Sequence, residues 1–192
     1  MYDRGSTTVT VSSTTTTTRP EICGNCIDDD GDGLVDFDDP DCCNERPPLV
    51  VKRSLLKPVR SQTFFRLRGC IQLEPGNLAD PLTQDVYFQL KAPDGRLLCG
   101  LIPSMKFMHM KFNKRVVAFW DRGGHVVTAK GMQDMSFTYR RKGCPLGFYA
   151  LGPHLEISSV SGEQYTLTVG LQDPSDPSKN VCTKTTRPLE VK

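Results

Sequence analysis

Only three histidines occur in 192 residues, and His109, His125 and His154 stand far apart, with neither His-x-His nor His-x-x-x-His spacing. The sequence therefore lacks the close histidine pair of a hydrolytic metal centre. It has no Gly-x-Ser-x-Gly elbow and no glycine loop built to cradle phosphate. No catalytic residue is assigned, and enzymatic activity is not expected. Long apolar runs are missing too, so no transmembrane segment is expected. Convincing helical periodicity is also absent, which points away from α-rich folds. Met1–Gly5 leads directly into polar residues with no signal peptide, so an export signal, if the protein is secreted, is expected upstream of this chain.

What the sequence does contain is concentrated. Between Cys23 and Cys43 stand eight aspartates and four cysteines, and not one basic residue. From Asp28 the order is Asp28-x-Asp30-x-Asp32-Gly33-Leu34-x-Asp36. This places carboxylates at positions 1, 3, 5 and 9 of a calcium loop and glycine at position 6, the ligand order of an EF-hand loop. The Leu34 carbonyl would be the position 7 ligand, and Asp39 falls at position 12, where an EF-hand has glutamate. Gly31 and Gly33 tolerate the backbone a curl around an ion requires. Flanking helices are not expected, because Pro20 and Pro40 punctuate the segment. Mutual repulsion of the carboxylates makes a hard divalent cation the natural partner. Structural Ca²⁺ is expected, held by Asp28, Asp30, Asp32, Leu34, Asp36 and Asp39, with an affinity of about 10⁻⁴–10⁻³ M. Zinc is the rival through Cys23-x-x-Cys26, but adjacent Cys42 and Cys43 make a poor second half-site, so zinc is not expected.

Glu21-Ile22-Cys23-Gly24-Asn25, Ile27–Asp36 and Asp39-Pro40-Asp41-Cys42 together resemble the metal-binding motif repeated in bacterial surface and secreted modular proteins. A segment of the teneurins is similar. The resemblance covers residues 21–43 only, and it implies a calcium-loop module working outside the cell. The sequence departs from the motif at two places: Cys26 stands where glycine is usual, and Phe37 where cysteine is usual. The motif's usual disulfide pairing does not carry over directly.

The eight cysteines divide into Cys23, Cys26, Cys42 and Cys43 within the module and Cys70, Cys99, Cys144 and Cys182 beyond it. Each set of four allows three pairings, and the second set could equally hold buried free thiols. An even number with this spacing favours an oxidising compartment, hence secretion or the cell surface.

Four regions follow. Residues 1–20 form a low-complexity Thr/Ser linker, 21–43 the Asp/Cys-rich module, 44–62 a proline-bearing connector, and 63–192 a β domain. The first 43 residues carry two arginines against ten acids (net −8), the remainder 22 basic against 12 acidic residues (net +10), so the two parts attract.

In the β domain, Phe65–Leu73, Val86–Lys91 and Tyr165–Leu171 alternate apolar with polar residues, and Pro93-Asp94-Gly95 turns the chain into Arg96–Ile102. Met105–Phe112, Arg115–Trp120, Met135–Arg140 and Leu155–Val160 are further candidate strands. Eight to ten short strands separated by turns predict a two-sheet antiparallel, Ig-like β-sandwich. Met105, Met108, His109 and Met110 could in principle hold Cu(I), but Met108, Met110 and Phe112 share a face opposite His109, so a methionine-filled core is expected. The basic residues Arg140-Arg141-Lys142, Lys111, Lys114 and Arg115 have little aromatic interleaving, and nucleic acid is not the expected partner. The reading that results is a non-enzymatic extracellular or cell-surface protein, with a structural calcium loop and a β domain that binds another protein or a polysaccharide. The alternative is an accessory domain of a secreted hydrolase.

Overall fold

In the computed structural model, residues 19–42, 47–73, 79–139, 143–175 and 179–192 are described. The Thr/Ser stretch up to residue 18, Cys43 and Arg140-Arg141-Lys142 lie outside them. Eleven strands carry the fold: β1 (Pro48–Val59), β2 (Gln62–Ile71), β3 (Asp85–Lys91), β4 (Leu97–Ile102), β5 (Met108–Met110), β6 (Asn113–Trp120), β7 (Asp134–Tyr139), β8 (Leu146–Leu155), β9 (Gln164–Gln172), β10 (Val181–Thr185) and β11 (Leu189–Glu190). Helical structure among the described residues is confined to short 3-10 turns. No helix is long and apolar enough to cross a membrane.

The mainly-β expectation holds, but the two-sheet antiparallel sandwich does not. The ladder runs unbroken in the order β4-β3-β9-β10-β1-β2-β8-β7-β6-β5, with β11 added on β9. It is mixed, because β1 meets β10 in parallel at Pro48↔Lys184 and Leu49↔Thr185. The sheet curls. β11 pairs with β9, while the next residue, Val191, bridges Leu56 of β1, so the C-terminus ties together strands that β10 separates along the ladder. One continuous apolar core fills the interior, with Phe65 and Leu67 from β2, Phe88 and Leu90 from β3, and Tyr165, Leu167 and Val169 from β9. Phe107, Phe119, Phe137 and Phe148 extend it as tilted ring pairs with centroids 5.4–6.0 Å apart.

Three further expectations change. The connector 44–62 is largely β1, a 12-residue strand. Its prolines mask it: Pro48 opens the strand, and Pro58 lies beyond the two-residue contact with β10, where a missing N–H costs little. A register shift between Val51 and Arg53 also breaks the alternation that would reveal it. Leu155–Val160 is not a strand past Leu155. Leu155, Ile157 and Ser159 are alternately buried, but the chain's carbonyls there serve side chains: Thr63 Oγ1 donates to Ile157 and Tyr165 Oη to Ser158. Finally, Met105, Met108 and Met110 do not fill the core. Met105 (82 % exposed) stands on the 3-10 turn before β5, Met108 (57 %) on β5, the last strand of the ladder, and Phe112 (93 %) in the turn after it.

Residues 21–42 fold against this sheet. Phe37 is buried with Cys42 and Cys182, next to Cys23 and Tyr87, with the Tyr87 ring edge-on at 6.0 Å. The fit is close, since a Cβ on Gly170 would fall 2.6 Å from the Phe37 ring. Gly24 has φ +89°, and a Cβ there would strike the Tyr87 ring. The expected charge attraction is realised at Asp38, paired with Lys91 (2.5 Å) and Lys184 (2.8 Å). Cys23–Cys42 closes the module, Cys26–Cys99 joins it to β4, and Cys70–Cys144 joins β2 to the segment before β8. Cys182 is disulfide-bonded as well, to a partner outside the described residues. The two cysteine sets therefore do not each pair within themselves, and none of the second set is a free thiol.

Candidate metal centre

The aspartate run curls through local hydrogen bonds. Asp28 accepts the N–H groups of Gly31 (2.7 Å) and Gly33 (2.9 Å), Asp30 that of Asp32 (3.0 Å), and Asp32 that of Leu34 (2.7 Å). Gly31 and Gly33 take φ of +78° and +93°, a region that non-glycine residues occupy at a cost. The curl gathers one oxygen each from Asp28, Asp30 and Asp32 within 4.8 Å of one another. Leu34 stands at the exposed rim.

A second group of the same tightness joins Asp30 to Glu21 and Asp39. Asp30 belongs to both groups. Glu21 is held by the N–H groups of Asp29 (2.8 Å) and Asp36 (3.0 Å). Asp39 is 2 % exposed; Oδ1 accepts the Asp41 N–H (2.6 Å), while its buried Oδ2 finds no donor. A buried carboxylate oxygen without a protein donor is costly, and an ordered water or a cation satisfies it.

The charges respond to each other. At Asp30 the Asp32 N–H favours the ionised form, but desolvation and the charges of Asp32, Asp39 and Asp28 outweigh it and raise the pKa. Such a group gains from a nearby cation.

Asp36 is placed elsewhere. It is fully buried and accepts three backbone N–H groups, from Gly24, Asn25 (2.9 Å) and Cys26 (2.8 Å). Burial pushes its pKa up, those three N–H groups pull against it, and the Glu21 charge adds to the rise. Asp36 also gathers with Cys26 and Cys99, but both sulfurs are spent in a disulfide and offer no thiolate to zinc. So the structure brings together Asp28, Asp30, Asp32 and Asp39, separates Asp36 from them, and adds Glu21. Glu21 lies outside the 12-residue template, and only the three-dimensional return of the chain reveals it. Asp38 faces the sheet: burial would raise its pKa, but hydrogen bonds and charge from Lys184 and Lys91 bring it below the ordinary value.

Among the described residues, no histidine meets a nucleophile. His125 Nδ1 lies 3.1 Å from Asp121, which also accepts the His125 and Val126 N–H groups, so the pair shapes a turn. No family model matches the chain, nor does any curated protein or solved structure.

Proposed function

We propose that this is a non-enzymatic extracellular or cell-surface protein in which residues 21–42 hold a structural calcium ion and the curled β-sheet presents a binding surface. The observation that carries the metal assignment is the buried, donorless Oδ2 of Asp39, within a group of Asp39, Glu21 and Asp30 that shares Asp30 with Asp28 and Asp32. All donors are oxygens, the set a hard cation takes, and calcium accommodates an irregular arrangement of six to eight of them. Glu21 joins Asp39 and Asp30, while Asp36 is occupied by the Gly24, Asn25 and Cys26 N–H groups. The disulfides agree with an oxidising compartment.

Calcium bound only by the folded chain stabilises it by mass action. At roughly thirtyfold above Kd the gain is about 2 kcal/mol. For a chain of this size that is a rise of about 5 °C in melting temperature. Thermal unfolding of the oxidised protein in millimolar calcium and in chelator tests the reading. A calcium-dependent rise that magnesium does not reproduce supports it; superimposable curves contradict it.

A further inference from the structure

The outer face of β1, β2 and β8 carries a cationic groove to which no role has been given. Arg66 and Arg68 are two apart on β2 and both exposed, so they project from one face. Across the ladder Arg53 of β1 pairs directly with Arg68, and Arg68 with Tyr149 of β8. Arg187 and Lys192 reach the same cleft from the C-terminal segment; its volume is about 740 Å³. A second hollow of about 510 Å³ shares Arg53, Arg68 and Tyr149 and continues the groove toward β7, with Lys52 at its rim.

Five basic residues line the cleft against one acid, Glu190. Among the described residues none of Arg53, Arg66, Arg68, Arg187 or Lys192 forms an ion pair, and Glu190, the one acid lining the cleft, forms none either. Two arginines placed directly opposite on neighbouring strands repel one another. A cleft with this surplus of positive charge, none of it held in an ion pair among the described residues, is suited to an anion supplied from outside.

We infer that this groove binds an acidic polysaccharide through sulfate or carboxylate groups, Arg53, Arg66 and Arg68 clamping its anions in turn. The cations are strung along a channel rather than converging on a point, which suits a chain of anions better than a single ion. Guanidinium forks match both sulfate and carboxylate. Single-stranded nucleic acid is disfavoured because a free aromatic platform is missing from the groove: the Tyr149 ring is already covered by the Arg68 guanidinium at 5.3 Å; a duplex, which needs no such platform, is left to the test. The inference rests on the β domain being a binding domain, and it is independent of the calcium site.

Heparin (sulfated), polygalacturonate (carboxylated), neutral dextran and a DNA duplex are the probes, with the full oxidised chain and two variants, Arg66→Gln/Arg68→Gln and Lys114→Gln/Arg115→Gln. At least one acidic polysaccharide should bind, dextran should not, and the Arg66/Arg68 variant should weaken binding at least tenfold while the Lys114/Arg115 variant changes it less than twofold. The slope of log affinity against log salt should fall by about 2 in the first variant, one for each lost contact. Its melting temperature should equal or exceed that of the parent, because repulsion is removed. Equal losses in both variants, or none, would overturn the groove as the site while leaving a binding domain intact. Tighter binding of the duplex than of either polysaccharide would overturn the ligand class. Failure to bind any probe would overturn the inference and leave the calcium titration to be judged on its own.

Discussion

Asp36 and Asp39 are three residues apart and have opposite tasks. Asp36 spends both oxygens on backbone donors, so Asp36→Ala should orphan three N–H groups and cost on the order of 3 kcal/mol in denaturant unfolding. Asp39→Asn should cost little stability in chelator and remove the stabilisation by calcium. The template order made both look alike, because position in a loop says nothing about which way a carboxylate turns. Burial decides it. Asp121 provides a pH test outside the acidic module. Burial would raise its pKa, yet the Val126 and His125 N–H groups and the His125 ring hold it below the ordinary carboxylate value. A depressed folded pKa stabilises the protein above the unfolded value of about 3.9 and loses that contribution as pH falls through the folded pKa. Asp121→Asn should therefore be destabilised relative to the parent at pH 7, and the difference should shrink below about pH 4.

Among elements, the module's attachment is the instructive case. The two residues that break the resemblance both grip the sheet: Cys26 is bonded to Cys99 on β4, and Phe37 is buried beside Tyr87 and Gly170. The sequence displays both residues but not their partners, which lie 73 and 133 positions downstream for Cys99 and Gly170. In the chain-entropy account the Cys26–Cys99 bond is worth about 4 kcal/mol and Cys23–Cys42 about 3. Phe37→Ala should cost about 3–5 kcal/mol locally and speed amide exchange across residues 21–42 before the sheet is affected. By contrast Met105→Ser and Phe112→Ser should leave the melting temperature within about 1 °C, since exposed sites contribute little. Strands such as β2, β3 and β9 were legible because each alternates over a buried face. β1 was hidden by its prolines and register shift, and β5 was misjudged because period alone cannot say whether an apolar face is covered.

At the scale of the molecule, charge is segregated and then partly rejoined. Asp38 meets Lys91 and Lys184, a contact worth little on its own at a partly exposed surface, roughly 0–1 kcal/mol per pair. Disulfide and Phe37 hold the module in place, and the remaining acids are left facing one another. Net charge by region was readable from the sequence, but the closure of one curled sheet through β11 and Val191 was not, because a two-residue strand at the C-terminus has no periodicity to read. The central claim is that Asp30, common to both acidic groups, is the pivot of a calcium site. Calorimetric titration of calcium into the oxidised protein, Asp30→Asn and Asp41→Asn tests it most directly. Saturable heat with Kd of about 10⁻⁴–10⁻³ M in the parent and Asp41→Asn, and none in Asp30→Asn, is the predicted result. Equal heats from Asp30→Asn and the parent, or no saturable heat from the parent, would contradict it.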